Sequence, residues 1–361
     1  MTLGDTAGVP GVVVVTGVSR YLGAHVAARL VADPAVEHVV GLDPVDPPPE
    51  LAPLLDGVER VRGDAGTVSS VIADLDAASV VHLALVTAPD KQQGGRSAMK
   101  DQNVIGTMQL LAACQRAPRL RKLVIRSSTA AYGASFRDPA VFTEDTEPRE
   151  VPRGGFARDI LDIEGYVRGF RRRRPEVTAT VLRFAPFIGS AADTTLTRYF
   201  AQPVVPTVFG RDPRLQFVHI EDALEVLHRS VVQDHPGTFN VAGAGVLTLS
   251  QAIRRAGRIA VPVLEPGLSG AAGLARVLGF GRYGLDQVDL IVHGRVVDTR
   301  RLASEFGFTP RGTAEAFDDF IRAHRGGMLV SRDRLALAEQ AILDGVRQVR
   351  ASGRRDGMVS R

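Results

Sequence analysis

The sequence predicts an α/β protein with a doubly wound parallel sheet and a smaller carboxyl-terminal domain. Short runs rich in β-branched residues alternate with helical segments through the first half of the chain. A glycine-containing turn joins the first of these runs, VVVVT at 12–16, to a helix. The second half is less regular. Apolar strands joined by helices are typical of a parallel sheet that is covered on both faces.

The pattern predicts each element of the first half in turn. Continuous apolar runs predict buried strands, and apolar residues three or four positions apart predict helices. The strands are expected at 12–16, 37–43, 58–64, 79–85, 122–128 and 177–185, and the helices at 22–32, 67–76, 97–116 and 156–173. In the second half, strands are expected at 215–220 and 238–242, and helices at 221–232, 248–257, 299–305 and 313–325.

Composition narrows the class of protein. The 361 residues are 45% hydrophobic and 23% charged, which is the balance of a soluble globular protein. Neither a membrane-spanning segment nor a secretory signal is predicted, and Cys114 is the single cysteine, which favours a reducing cytoplasm. The net charge of +4 is mild, and the basic run 171–174 is interpreted as the solvated end of a helix. No nucleic-acid partner and no metal site are predicted.

The turn after the first strand predicts a dinucleotide site. In VVVVTGVSRYLG, residues 12–23, Gly17 permits a tight turn and Gly23 permits a helix to pack closely on a strand. The N–H groups at the start of that helix are free to bind a pyrophosphate. Asp43, at the end of the second strand, is placed to bind a ribose hydroxyl, which favours NAD over NADP.

Several further motifs follow in order, and together the chain resembles the extended short-chain dehydrogenase/reductase family of NAD-dependent epimerases and dehydratases. Within it, the chain resembles proteins labelled UDP-glucose 4-epimerase. The similarity covers about residues 11–325. The matching stretches are TGVSRYLG at 16–23, GD at 63–64, HLA at 82–84, NVIGT at 103–107, SSTAAYG at 127–133, LRFAPFIG at 182–189 and FVHIEDA at 217–223.

The resemblance implies a division of the chain and a set of site residues. It implies a Rossmann domain over 1–185, to which 217–243 return, and a substrate domain from 186–216 and 244–330. Residues 331–361 are predicted to be a basic helical tail that packs on the protein, on a second subunit or on a membrane surface. The cofactor-binding positions it implies are Gly17, Arg20, Tyr21, Leu22, Gly23, Asp43, Asp64, Ala65, Leu83, Ala84, Leu85 and Asn103.

The catalytic positions depart from the family pattern. With Glu164 as the anchor of the alignment, Phe156 occupies the family's tyrosine position and Ile160 its lysine position, so the acid/base pair is missing. Ser128 stays at the family's serine position. Arg20 replaces the middle glycine of the turn, where its side chain either swings away, pairs with a phosphate or favours a 2′-phosphate.

The substrate side departs as well. Pro186 replaces a substrate-binding asparagine, and Leu215 stands where a phosphate-binding arginine is common. Arg214 is one residue early and is the candidate substrate contact. The resemblance also implies a homodimer through the helices at 97–116 and 156–173, with Met108, Leu111 and Cys114 supplying apolar surface.

Two functions stay open at this point. The first is an enzyme that binds NAD and acts on a nucleotide-sugar or related alcohol with non-standard catalysis. The second is a catalytically degenerate regulatory protein that binds NAD(H) or a metabolite without hydride chemistry. Loss of the tyrosine and lysine favours the second, whereas Ser128 and the second domain favour the first. Restoring the pair with Phe156→Tyr and Ile160→Lys is expected to raise any latent activity.

Overall fold

A computed structural model describes the chain as a sheet protein with a helical carboxyl-terminal part. The described residues are 11–63, 67–90, 92, 94–135, 137–152, 155–263 and 285–324. Their strands are β1 (Val12–Thr16), β2 (His38–Asp43), β3 (Glu59–Arg62), β4 (Ser79–His82), β5 (Lys122–Ser128), β6 (Thr178–Phe184), β7 (Phe187–Ile188), β8 (Val204–Val208), β9 (Arg214–Leu215), β10 (Val218–His219), β11 (Gly237–Val241), β12 (Leu247–Thr248) and β13 (Ile259–Val263).

Seven of the described strands form one parallel sheet in the order β11-β6-β5-β4-β1-β2-β3. The strand order reverses between β1 and β4, which lie side by side in the sheet. In a doubly wound sheet, the carboxyl ends of strands at such a switch point form a crevice that binds ligands. The predicted doubly wound parallel sheet is therefore confirmed, and its geometry fixes where a ligand site is expected.

Helices cover both faces of the sheet because successive side chains of each strand point to opposite sides. Val13 and Val15 join an apolar cluster on one face of the sheet, whereas Val14 joins a second cluster on the opposite face. The described helices are α1 (Tyr21–Val31), α2 (Thr67–Asp74), α3 (Gly95–Lys100), α4 (Gly106–Arg116), α5 (Gly155–Arg173), α6 (Thr195–Ala201), α7 (Ile220–Val232), α8 (Leu249–Arg255), α9 (Leu285–His293), α10 (Arg300–Phe306) and α11 (Thr313–Ala323).

A buried ion pair holds α5 on the sheet. The guanidinium of Arg183 on β6 donates to both carboxylate oxygens of Glu164 on α5, at 2.6 to 3.2 Å. The hydroxyl of Ser127 on β5 donates to the same carboxylate at 2.6 Å. Since a bidentate, charge-assisted pair fixes orientation as well as distance, this contact sets the position of α5 and directs its amino-terminal end toward the end of β5.

Part of the second half differs from the expected elements. The predicted strand at 215–220 is two short strands: β9 pairs with β12, β10 pairs with β7, and α7 begins at Ile220. The strand ends there because the His219 side chain accepts a hydrogen bond from the Glu221 N–H at its Nδ1 and caps the helix. Helices α6 and α9 and the parallel pair of β8 with β13, which are all short elements, were not predicted from the sequence.

The basic run 171–174 is another correction, since two of its members bind neighbouring elements. Arg171 donates to the carbonyl groups of Ala179 and Gly237, and Arg174 donates to three carbonyl groups that follow α4 or close it. These arginines join α5 to the sheet edge and to α4, so they are not merely a solvated helix end.

The predicted domain division stays a prediction, and the tail 331–361 lies outside the described residues. In the described carboxyl-terminal part, one apolar cluster joins elements that are distant in sequence. Its rings of Phe200, Phe217 and Phe317 lie at centroid distances of 5.0 to 6.3 Å, with Phe217 stacked on Phe317 and Phe200 edge-on to both. No helix within the described ranges is both long enough and apolar enough to span a membrane.

Candidate functional site

A cleft of about 510 Å³ lies at the carboxyl ends of β1, β4 and β5, on one side of the switch point. Residues from the sheet and from the carboxyl-terminal part both line it. The sheet side supplies Arg20, Tyr21, Leu22, Gly23, Leu83, Leu85, Arg126, Ser128 and Phe156, and the opposite side supplies Phe187, Asp193, Thr194, Asp286, Gln287 and Arg295, among others. The cleft is therefore lined by six of the twelve predicted cofactor-binding residues: Arg20, Tyr21, Leu22, Gly23, Leu83 and Leu85.

The turn after β1 has the close backbone geometry that a dinucleotide requires. Gly17 has a φ of +82°, and a Cβ there would lie 2.9 Å from the backbone of Ala84 after β4. A Cβ on Gly23 would lie 2.1 Å from the Gly17 carbonyl oxygen. Both glycines are therefore required by packing, and they leave the amino-terminal N–H groups of α1 next to the cleft, where they fit a diphosphate.

Asp43 lies at the end of β2 with its carboxylate turned toward this loop. It accepts hydrogen bonds from the Ser19 N–H at 3.1 Å and from the Val45 N–H at 3.2 Å. Each carboxylate oxygen keeps a second acceptor site. The carboxylate thus fits a ribose diol, and its negative charge disfavours a 2′-phosphate at the same position.

Arg20 does not point away from the cleft. Its Nη1 donates a 2.5 Å hydrogen bond to the carbonyl of Leu85, so the side chain crosses from the start of α1 to the segment after β4. Burial lowers the pKa of Arg20, and the nearby Asp43 opposes that shift. The side chain of Arg20 is therefore not swung out into solvent, and it lines the cleft at the start of α1.

A buried chain of hydrogen bonds fixes the segment after β4. Thr16 Oγ1 and His82 Nδ1 are 2.8 Å apart, and His82 Nε2 is 2.8 Å from Thr107 Oγ1. Thr107 donates its proton to the Asn103 carbonyl, so Nε2 of His82 is the donor to Thr107. Burial, together with the charge of Arg126, lowers the pKa of His82 to about 4. His82 is therefore neutral at pH 7.

Asn103 contributes to this scaffold from a π-helical segment, Asp101–Ile105. It exchanges two hydrogen bonds with the backbone of Val86, at 2.8 and 2.9 Å, and donates to Asp159 at 3.0 Å. Asp159 is itself paired with Arg96. Because Asn103 has no exposed surface, the structure places it behind the cofactor segment, where it orients the backbone of 83–86.

The catalytic positions are apolar, and the structure separates them. Phe156 lines the cleft at the start of α5. Ile160, one turn later, is 0% exposed and packs in the core between α5 and the sheet. Ser128 lines the cleft, and its Oγ accepts the Ala130 N–H at 3.1 Å to cap a short helical turn. Its hydroxyl proton is left for another acceptor.

The predicted substrate contact lies elsewhere. Arg214 lines a different cavity and donates to the Ala140 carbonyl at 2.9 Å, and neither Ser128 nor Phe156 lines that cavity. Asp64 and Ala65 lie outside the described residues. The structure thus does not bring the candidate substrate contact to the cleft that holds the candidate cofactor residues.

Several polar side chains of the cleft were not predicted from the sequence, and three of them bear on its chemistry. Asp286 on α9 accepts the N–H groups of Phe156 and Ala157 at 3.2 and 2.9 Å. Burial raises the pKa of Asp286, although those two hydrogen bonds oppose the shift. Gln287 Oε1 is buried and has no hydrogen-bond partner among the described residues. Arg126 is the third. Helix α9 had no capping or periodicity signal that placed it beside α5, so only the fold reveals these residues.

A glycine turn beneath the β4 segment, a helix amino terminus and a carboxylate at the end of β2 together define a Rossmann-type dinucleotide-binding protein. The family model for the NAD dependent epimerase/dehydratase family matches residues 13–242. The chain belongs to this family, which confirms the resemblance and, at the level of the family, the predicted cofactor NAD.

A relative and two solved structures are similar to this chain in sequence or in fold. An uncharacterised protein of Mycobacterium tuberculosis is 45% identical over 317 residues, which are 87% of this chain and 84% of that protein. The fold is similar to UDP-glucose 4-epimerase of Thermotoga maritima, solved with UDP-glucose, at a TM-score of 0.67 and 17% identity over 87% of this chain and 99% of that one. It is also similar to dTDP-glucose 4,6-dehydratase of Bacillus anthracis, solved with NAD, at a TM-score of 0.67 and 14% identity over 87% of this chain and 96% of that one.

Proposed function

We propose that the chain binds NAD(H) together with a nucleotide-sugar or related alcohol, and that it lacks the tyrosine–lysine proton chemistry of its family. NAD supplies hydride exchange at its nicotinamide when it is bound. The observation that carries the proposal is the apolar start of α5. Phe156 presents a ring without a hydroxyl to the cleft, and Ile160 is fully buried. Neither side chain can take a proton from an alcohol.

Other residues support a ligand with hydroxyl groups. Gln287 Oε1 is a buried acceptor beside the cleft that lacks a partner among the described residues, and an unpaired buried polar group costs free energy. Ser128 keeps a hydroxyl proton to donate. A sugar or ribose hydroxyl would satisfy both groups. The solved proteins of this fold include one with UDP-glucose and one with NAD, which supports the same ligand class here.

Two measurements on the purified protein test the proposal. Calorimetric titration with NAD and NADP is expected to show binding with preference for NAD. An assay of UDP-glucose and UDP-galactose interconversion is expected to show no appreciable turnover, because general acid–base assistance contributes roughly a hundred- to ten-thousandfold in rate. Rapid interconversion that persists in Ser128→Ala would contradict the proposal, as would equal or tighter binding of NADP.

A second candidate, an active enzyme with a different acid/base, is favoured by Asp286. Its carboxyl group lies against the first turn of α5, next to Phe156, and lines the cleft. Burial raises its pKa, and a carboxyl group with a raised pKa is suited to proton transfer near neutral pH. In this candidate, Asp286 takes over the proton transfer that the family assigns to a tyrosine.

Replacement of Asp286 separates the two candidates. If any turnover of a nucleotide-sugar is found, Asp286→Asn should remove it while NAD binding is kept, since the amide oxygen still accepts one N–H of α5. Asp193→Asn is the matched control, because Asp193 lines the same cleft but is paired with Arg198 at 2.6 Å. Turnover that is equal in wild type and Asp286→Asn would reject the second candidate.

We also propose a homodimer through α4 and α5. A groove of about 350 Å³ lies between these helices, and its lining includes Met108 and Tyr166, which are 41% and 40% exposed. Cys114, expected at this face, is fully buried. Light scattering at micromolar concentration is expected to give a dimer mass for wild type and a monomer mass for Met108→Glu. Val45→Glu, at another exposed apolar residue, is the control and should leave the dimer intact.

A further inference from the structure

Arg126 places a positive charge on the floor of the cleft. It is the fifth residue of β5, and it points to the same face as Val124, which packs beneath α1 and α7. Arg126 lines the cleft together with Ser128, two residues further along the same strand. The side chain is therefore anchored on the sheet, and it lies in the cleft.

The guanidinium of Arg126 makes no hydrogen bond or ion pair with any residue that the structure describes. Its carbon Cζ lies 5.6 Å from the ring centroid of Phe187, a cation–π contact that holds the side chain without using its donors. Arg183 on the adjacent strand β6, by contrast, donates to Glu164, Tyr132 and a backbone carbonyl. Because a guanidinium carries five N–H donors, Arg126 is equipped to bind a group that the protein does not supply.

A second guanidinium lies close by. Arg20 lines the same cleft, and burial together with the charge of Arg20 lowers the pKa of Arg126 to about 10. Arg126 is still charged at pH 7. The acidic side chains of the cleft do not neutralise it: Asp193 is paired with Arg198, and Asp286 accepts two backbone N–H groups. Two like charges in a half-buried cleft repel each other unless an anion lies between them.

We infer that Arg126 and Arg20 together bind the diphosphate group of a ligand in this cleft. Guanidinium groups bind phosphate oxygens through paired N–H donors. The amino-terminal N–H groups of α1 lie at the same edge, next to the turn that contains Gly17. Arg20 would exchange its bond to the Leu85 carbonyl for a phosphate oxygen. This inference rests on the ligand class of the proposed function, and NAD and a nucleoside diphosphate both carry the required group.

Calorimetric titration with inorganic pyrophosphate, UDP and NAD tests the inference. Arg126→Gln should weaken the binding of pyrophosphate, and of UDP, NAD or both, by about tenfold or more, which is typical of a lost charge-assisted hydrogen bond. The affinities of Arg126→Lys should lie between those of wild type and Arg126→Gln. Arg172→Gln removes an exposed arginine of α5 and should change nothing. Weaker UDP binding identifies a nucleoside diphosphate as the ligand, and weaker NAD binding identifies the cofactor.

The thermal midpoint without ligand gives a second readout. Replacing an arginine with a structural role would destabilise the fold, whereas replacing a ligand-binding arginine that repels Arg20 should leave the thermal midpoint of Arg126→Gln equal to that of wild type or higher.

Unchanged affinities in Arg126→Gln, or no binding of any of the three ligands at millimolar concentration, overturns the inference. If UDP or pyrophosphate binds through Arg126 and NAD does not bind, the proposed cofactor function fails and this inference stands. If NAD binds equally to both proteins and pyrophosphate does not, only the inference fails.

Discussion

The amino-terminal ends of α1 and α5 both face the cleft, but they differ in what has been kept. At α1 the backbone geometry of a dinucleotide site is intact, because Gly17 and Gly23 leave no space for a side chain. At α5 the backbone is equally well placed, held by Glu164 and Arg183 and capped by Asp286. Phe156, its side chain at the cleft, however, has no group that can donate or accept a proton. The comparison shows that binding geometry depends on backbone packing, whereas proton chemistry depends on a few side chains.

The strongest test of the α1 end is Gly23→Ala. A Cβ there lies 2.1 Å from a backbone oxygen, which no side-chain movement can relieve. We expect the free energy of unfolding to fall by about 5 kcal/mol, at the upper end for single substitutions, and NAD binding to be lost. Gly165→Ala in α5 is the control, since its nearest neighbour is a side-chain atom at 3.7 Å. Urea denaturation that gives equal stabilities for both variants would contradict this view of the turn.

The α5 end is tested by Ile160→Lys. The structure changes the expectation that restoring the family pair raises activity, because Ile160 is 0% exposed. A lysine there buries an unpaired charge, so we expect the free energy of unfolding to fall by about 4 kcal/mol. Phe156→Tyr should be tolerated, since Phe156 lines the cleft, and Ile160→Met is the size control. A stable Phe156→Tyr/Ile160→Lys protein with epimerase activity would show that position 160 reaches the cleft.

The stability of the hydrogen-bonded segment after β4, which lies between the amino-terminal ends of α1 and α5, should depend on pH through His82. Its pKa is about 4 in the folded protein and 6.5 in the reference state, so the unfolded chain binds the extra proton between these values. The free energy of unfolding should therefore fall as the pH falls from 6.5 to 4, by about 3 kcal/mol from this residue. Over this pH range the free energy of unfolding of His82→Gln should fall less steeply than that of wild type. His38→Gln, at an exposed residue, should fall as steeply as wild type. Parallel curves for wild type and His82→Gln would exclude His82 as the cause.

The smallest effect concerns cofactor choice at the α1 end. Asp43→Ala removes a carboxylate that disfavours a 2′-phosphate, so NAD binding should weaken by about tenfold, or about 1.4 kcal/mol, and the preference over NADP should narrow. Asp46→Ala, in the exposed loop that follows β2, is the control. Calorimetry checks both variants. An unchanged ratio of NAD to NADP affinity in Asp43→Ala would mean that the preference is set elsewhere.

The sequence by itself determined the sheet, the turn and the family. Continuous β-branched runs and the spacing of Gly17, Gly23 and Asp43 are local features, and parallel strands that are buried on both faces leave such a pattern in the sequence. The absence of the family's tyrosine–lysine pair was also visible in the sequence, because a fixed spacing from Glu164 identifies Phe156 and Ile160 as the residues at those positions. Each of these inferences depends on residues that are near one another in the chain.

Only the tertiary structure decided which side chains share the cleft. Asp286 contacts Phe156 from 130 residues away, and Arg126 and Arg20 line the same cleft although they are far apart in the chain, so no local pattern links them. Asn103 and Ile160 are likewise fully buried instead of lining the cleft, and Arg214 lines another cavity. The physical reason is that exposure and charge partners are properties of packing, which brings distant segments together, and a sequence motif does not record them.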